Sequence, residues 1–240
     1  MRRQTTPWVG LIVSLVVAGS LAAAPPGEAN EIAMKIAKAY GFDGWDQINR
    51  LDFTFNVKAG DSTTARHWTW WPKQNKVRQR FPESDKDPIT YHRNELDTAS
   101  DAVIAADKKF INDHYWLLFP FQPVWSNPKV SHGDSPALPI GDGKAAKSQV
   151  IVQYPDEGGY TPGDAYWLYL DNNNRLVQWQ YLPGGDEDKA VAHTWDKHRK
   201  LGPIIVSLEH KGADGNFRLF FTKVKAKLEN GDTVTPQPMN

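Results

Sequence analysis

The run Phe110-Ile111-Asn112-Asp113-His114-Tyr115-Trp116-Leu117-Leu118-Phe119-Pro120-Phe121 is the most aromatic in the chain. It separates two groups of segments whose apolar residues recur with period two. Neither group encloses a core alone, so the aromatic run has to cover the apolar faces that both leave open. That requirement already restricts the fold to a sheet with helical cover.

The first group begins after a short helix. Over Glu31 to Tyr40, Ile32, Ile36 and Tyr40 fall on one stripe; Asn30 is placed to cap the start and Gly41 to end it. A helical turn over Gly44 to Ile48 follows. Leu51, Phe53, Phe55 and Val57 then alternate with Asp52, Thr54 and Asn56, the pattern of a half-buried strand. Gly60-Asp61 marks a hairpin turn. Ala65 to Trp71 returns with Trp68 and Trp70 on one face and His67, Thr69 and Trp71 on the other, and Lys76 to Phe81 and Ile89 to His92 complete the group.

The middle is Ala-rich and helical from Asp101 to Leu117, with Ser100 or Asp101 as cap. Pro120 is expected to stop it, with an extended stretch from Phe121 to Trp125. Ser131 to Lys144 is a Gly-, Pro- and Asp-rich loop. The second group follows in six segments: Ser148 to Tyr154, Ala165 to Asp171, Arg175 to Leu182, Val191 to His198, Ile204 to Lys211 and Asn216 to Leu228. The turns between them carry residues that tolerate positive φ. About ten strands in one meander must curl or close. The expected fold is therefore α+β: a curled antiparallel sheet, an incomplete β-barrel of about ten strands, covered by a few helices. A single domain spans residues 30–228, with a flexible tail at 229–240.

The first 29 residues read as a signal peptide. Arg2 and Arg3 precede an apolar stretch from Trp8 to Ala24, and small residues follow through Ala29. An uncleaved anchor is the alternative, since the apolar stretch approaches membrane-spanning length. Export places the protein in the periplasm, or outside the cell, with no stable membrane insertion after cleavage. The absence of cysteine excludes disulfides, thiol nucleophiles and a lipidated N-terminus. With 28 basic and 28 acidic residues, overall charge gives no reason to expect nucleic acid.

Catalytic patterns are mostly missing. No His-Glu-x-x-His pair, nucleophile elbow or phosphate loop occurs, and Ser126-Asn127-Pro128-Lys129 lacks the later Lys-Thr-Gly that its chemistry needs. The Asp171-Asn172-Asn173-Asn174 and Asp186-Glu187-Asp188 clusters belong to turns. No metal or cofactor is implied. A hydrolase-like enzyme would need a site assembled from dispersed polar residues, with Asp113, His114, Asp164 and His193 as first candidates. What the sequence offers in abundance is rings, including ten Trp. In Trp167/Tyr169 and Trp179/Tyr181 they repeat every second residue. They make a large aromatic core, an apolar pocket for a lipid or similar ligand, or exposed rings on which carbohydrate stacks. For the pocket, the ligand-binding candidates are Phe53, Phe55, Trp68, Trp70, Trp116, Leu117, Phe119, Trp167 and Trp179.

The order of signal peptide, helix, strand meander, helical cover and second meander resembles the periplasmic lipoprotein carrier LolA and its receptor LolB. It is more similar to exported bacterial proteins with a LolA-like arrangement. The similarity rests on the Phe110–Phe121 run, on Gly158-Gly159-Tyr160-Thr161-Pro162-Gly163-Asp164-Ala165-Tyr166 and on His210-Lys211-Gly212-Ala213-Asp214-Gly215. It implies a helical lid over an apolar cavity and a non-enzymatic carrier for a lipid or lipoprotein acyl chain. The chain departs from LolB in having no Cys, and no position matches the lid-latching Arg of LolA. An interaction protein with a filled core, using its exposed sheet edge, is the remaining alternative.

Overall fold

The computed structural model describes residues 31–239 apart from Asp142 and Thr161. The expected signal peptide and the Asn30 cap lie outside the described residues. Helix α1 (Glu31–Ala39) and a 3-10 turn (Phe42–Gln47) lead into β1 (Ile48–Ala59), β2 (Ser62–Trp71), β3 (Lys76–Arg80) and β4 (Ile89–His92). Helix α2 (Asp101–Leu118), a 3-10 turn (Phe119–Phe121) and α3 (Gln122–Ser126) form the middle. Then come β5 (Lys129–Gly133), β6 (Ser148–Gln153), β7 (Ala165–Leu170), β8 (Leu176–Leu182), β9 (Val191–Thr194), β10 (Asp196–Leu201), β11 (Ile204–Lys211) and β12 (Phe217–Leu228). Two short strands, β13 (Thr233–Val234) and β14 (Gln237–Pro238), end the chain.

The architecture is α+β, built on a large antiparallel sheet that is not closed into a barrel. The strands form a nine-stranded sheet, β14-β10-β11-β12-β1-β2-β3-β4 with β13 beside β12, and a five-stranded sheet, β5-β6-β7-β8-β9. The link between them is one bent strand. The sequence reads as a single strand from Val191 to His198, but Trp195 breaks it: β9 pairs with β8, and β10 turns away to pair with β11. A bridge between His193 and Gly212 joins the sheets beside the bend. The C-terminal β12 closes back on β1 along nearly its whole length, from Ala59↔Phe217 to Ile48↔Leu228.

Three local expectations change. The stretch from Ser131 to Lys144 is not all loop, since Ser131 to Gly133 belong to β5 and pair with β6. Pro120 does not release the chain into an extended form. It sits within the first two positions of the 3-10 turn, where its missing N–H costs nothing, and Pro123 likewise opens α3. The tail expected to fray is held at two places, by β13 on β12 and β14 on β10.

The helices pack against the apolar face of the curl, and one buried cluster runs from Ala33 in α1 to Ala226 in β12. Tyr40 fastens α1 to the sheets. Its carbonyl accepts from Ile205 N at 2.8 Å, and its hydroxyl accepts from Leu176 N at 3.0 Å and lies 2.8 Å from His198 Nε2. The next residue, Gly41, has φ of 84°. A Cβ there would run into the Pro203 carbonyl oxygen, so glycine is required for both conformation and space. Gly60 also has a positive φ, 59°, but a Cβ there would point into open space.

Gly41→Ala should therefore lower stability by about 2 kcal/mol or more, and Gly60→Ala by only about 1 kcal/mol. Urea denaturation of both variants tests this; equal losses would show that the Pro203 contact adds nothing.

Candidate functional site

Helix α2 places its polar residues inward at two points. Asp113 is fully buried, yet its carboxylate accepts from Arg66 Nε at 2.7 Å, a second Arg66 nitrogen at 2.5 Å, Trp68 Nε1 at 2.7 Å and Asn112 Nδ2 at 3.0 Å. Burial pushes this carboxyl upward and Arg66 foremost opposes it. Donors on both oxygens fit the carboxylate and leave no acceptor for a carboxyl proton, so the geometry describes a charged pair. One and a half turns earlier, Asp107 accepts from Arg93 Nε at 3.0 Å, and Arg93 also donates to the Tyr160 hydroxyl at 2.7 Å. Two arginines from the first sheet and its flanking turn thus hold the covering helix.

The far end of α2 reaches the seam between the two sheets. Trp116 stands among rings from both: Trp179 on β8 at 4.7 Å between centroids, His193 on β9 at 4.9 Å and His210 on β11 at 5.3 Å. Trp195, at the bend, packs on Trp179 at 5.3 Å and on His210 at 4.5 Å. Phe217 closes the group against His193 at 5.0 Å. Within this box the indole nitrogens of Trp179 and Trp195, Nδ1 of His193 and Nε2 of His210 are buried with no hydrogen-bond partner. Each such atom carries a desolvation cost of about 1–3 kcal/mol.

The imidazoles here are neutral. Burial pushes His193 down to about 4 against the pull of Asp214. It pushes His210 down to about 3, although Thr194 and Trp116 backbone groups favour the charged form. His114, on the other side of α2, is also pushed down to about 3, chiefly by burial and then by the Arg93 charge. It stacks on Phe110 at 4.8 Å, with Nδ1 3.0 Å from the Phe110 carbonyl oxygen.

Most of the expected ligand-binding residues do meet, but as packed side chains. Phe53, Phe55, Trp68, Leu117, Phe119 and Trp179 are buried, Trp70 nearly so, and Trp116 partly. Phe119 fills the space against Tyr166 at 4.6 Å and Trp179 at 4.9 Å. Trp167 is the exception. It shares its sheet face with its cross-strand partners Ile151 and Gln180, whereas Leu168 lies opposite Val150 and Trp179 and enters the core. Tyr166, Leu168 and Leu170 are thus the inward set on β7, and the assignment of Trp167 to the concave side is corrected. A depression of about 400 Å³ lined by Leu138, Lys147, Asp171 and Val177, among others, lies elsewhere and includes none of the nine.

The four polar residues considered for hydrolysis do not combine. Asp113 is engaged by Arg66, and His114 faces the Phe110 carbonyl. Asp164 accepts from the Tyr181 hydroxyl at 2.9 Å and from Gly184 N at 2.8 Å, and His193 sits in the seam. Among the described residues no three His, Asp or Glu side chains are grouped to hold a metal, and no helix is long and apolar enough to cross a membrane. Arg66, Arg93, Asp107 and Trp195 were not singled out by the sequence, and His210 entered only within a block that carried the resemblance. Only the position of Arg66 two residues before Trp68, on the apolar face of β2, hinted that it meets a buried acid.

No family model and no curated protein matches the chain. Among solved structures it is similar to a DUF1329 family protein from Desulfovibrio piger, at 8% identity over 83% of this chain and 92% of that one, with a TM-score of 0.40. It is also similar to a domain from Vibrio parahaemolyticus named as a candidate outer membrane lipoprotein-sorting protein, at 8% identity over 84% and 92%, with a TM-score of 0.42.

Two outcomes follow from the charges. Asp113→Asn leaves the Arg66 guanidinium without its counterion and should cost about 3 kcal/mol or more in urea unfolding. Asp186→Asn, which breaks the exposed Asp186–Lys189 pair, should leave the midpoint unchanged. The histidines set the acid limit. Unfolded, each binds a proton near its ordinary value of 6.5; folded, His114, His193 and His210 bind one only near 3 to 4. Below pH 6.5 the unfolded state therefore holds more protons, and stability falls by about 1.4 kcal/mol per pH unit for each histidine. Cooperative unfolding should set in between about pH 6 and 4, and His210→Phe should shift its midpoint to lower pH in a circular-dichroism titration.

Proposed function

We propose that the protein is an exported, non-enzymatic binding protein for an apolar ligand that carries a hydrogen-bond acceptor, such as an acyl chain with its ester or carboxyl end. The ligand takes the place of Trp116 at the seam between the sheets. The observation that carries this reading is the coincidence of four buried, unpartnered nitrogens, on Trp179, Trp195, His193 and His210, with a wall of rings around Trp116, a covering side chain that is only partly buried. Rings of this kind match acyl chains, and the idle nitrogens match one or two oxygens at the end of such a chain. The Arg2-Arg3 and Trp8–Ala24 pattern supports export, and the helical cover over a curled sheet is the arrangement expected of a LolA-like carrier.

A second reading has its own support. The concave face is occupied by packed rings, Phe119 among them, and that favours a permanent core in a protein that acts through its surface.

The two readings separate on purification from a membrane-containing host, organic extraction and mass spectrometry. The carrier reading expects co-purifying acyl lipid. It also expects Trp116→Ala, which clears the seam, to bind a fluorescent fatty acid severalfold more strongly than the native chain. Lipid absent from repeated preparations, together with no gain on Trp116→Ala, would leave the filled-core reading standing.

A further inference from the structure

The outer face of the nine-stranded sheet has a chemistry that the concave side does not share. On β12, Lys223, Lys225 and Lys227 are exposed while Val224 and Ala226 between them are buried. Lys225 lies opposite Asp52 on β1, whose other neighbour, Thr69, lies opposite Arg78 on β3. These residues form one row across four strands, on the side away from Phe53 and Phe55. A neighbouring row runs from Lys227 opposite Arg50 to Trp71 opposite Lys76. Trp71 sits between two cations, with Lys76 Nζ 5.1 Å and Arg78 Cζ 5.7 Å from its ring. The carboxylates of this area are few: Glu83 acts on His67, Glu229 is paired with Lys73, and Asp52 is already taken by Arg50 at 2.9 Å and Thr69 at 2.7 Å, with Arg80 at 4.0 Å.

Among the described residues no carboxylate lies within ion-pair distance of Lys76, Arg78, Lys223, Lys225 or Lys227. Arg50 directly opposite Lys227 is a like-charge pair, which weakens a sheet and gives nothing to folding. The field reaches His67, where burial lowers the imidazole and the Lys223 and Arg80 charges lower it further against the opposing charge of Glu83. All this occurs in a chain whose formal net charge is zero, so the charge is segregated and not merely abundant.

We propose that this outer face of β12-β1-β2-β3 docks on an anionic phospholipid surface. The partner follows from the shape and the chemistry. The face is the broad outside of a sheet, not a helix that would enter a nucleic-acid groove. Its unpaired cations surround a tryptophan, the combination that sits at the headgroup level of a bilayer, where lysines and arginines meet lipid phosphates and the indole meets the glycerol region. The inference concerns the face opposite the seam and stands whether or not the concave side takes a ligand.

Co-sedimentation with vesicles tests it, using the full chain at low ionic strength. The native protein should pellet with phosphatidylglycerol-containing vesicles, remain in solution with pure phosphatidylcholine, and be released by high salt. The triple variant Lys223→Glu, Lys225→Glu, Lys227→Glu should bind at least about tenfold more weakly, and Trp71→Ala severalfold more weakly. A control triple on the other sheet and its loop, Lys129→Glu, Lys144→Glu, Lys147→Glu, changes net charge equally and should retain binding; all six lysines are exposed, and circular dichroism verifies the fold. No binding by the native chain, or equal loss in both triples, overturns the proposal. So does binding to duplex DNA or to an acidic protein as tight as to the vesicles at the same salt.

Discussion

The buried carboxylate of Asp113 constrains the rest of the molecule. A charge with no exposed surface is tolerated only where donors replace its water, and here both main donors come from one strand. Arg66 and Trp68 are two residues apart on β2, so they project from the same face and reach the carboxylate together. With Trp70 against Phe110 and His114, the inward row of β2 fixes both the height and the rotation of α2. Trp116, three residues beyond Asp113, is carried to the seam as a consequence, and Asp107 is carried to Arg93.

The seam exists because one strand serves two sheets. The bend at Trp195 lets β9 stay with β8 while β10 joins β11, and it leaves a corner where ladder pairing gives way to a single bridge. Rings fill that corner. Its imidazoles are held neutral by burial, and four of its nitrogens are left without partners. Apolar residues of the same shape would pack there without the desolvation cost. Inside, then, the protein keeps neutral rings with idle hydrogen-bonding capacity. Outside, on the same β1 and β12, it displays cations with too few carboxylates. The zero net charge of the chain conceals this division, because strand alternation sorts residues by face and composition sums over both.

Much was legible from local pattern. The alternation in Leu51–Val57 located β1, Ile89–His92 and Ile204–Lys211 matched their strands residue for residue, and the helix of the middle segment ended one residue beyond Leu117. These succeed because a period of two or of 3.6 residues is written by neighbours in the chain. The failures share a cause as well. Trp167 was paired with the wrong face because rings on both faces of β7 make the alternation ambiguous, and only the register against Val150 and Trp179 decides it. Pro120 was read as a break because proline at the first helical positions looks, in sequence, like proline that stops a helix.

By itself, then, the sequence determined the class of fold, the place of most strands and the need for an aromatic cover, while the six segments of the second group divide between the two sheets. It could not determine what that cover meets. Arg66 and Asp113 are 47 residues apart, and Trp116 meets His193 and His210 from two different sheets. Such meetings depend on strand register, on the bend at Trp195 and on the rotation of one helix. Those are set by the summed packing of the whole chain and leave no period in the sequence from which to read them.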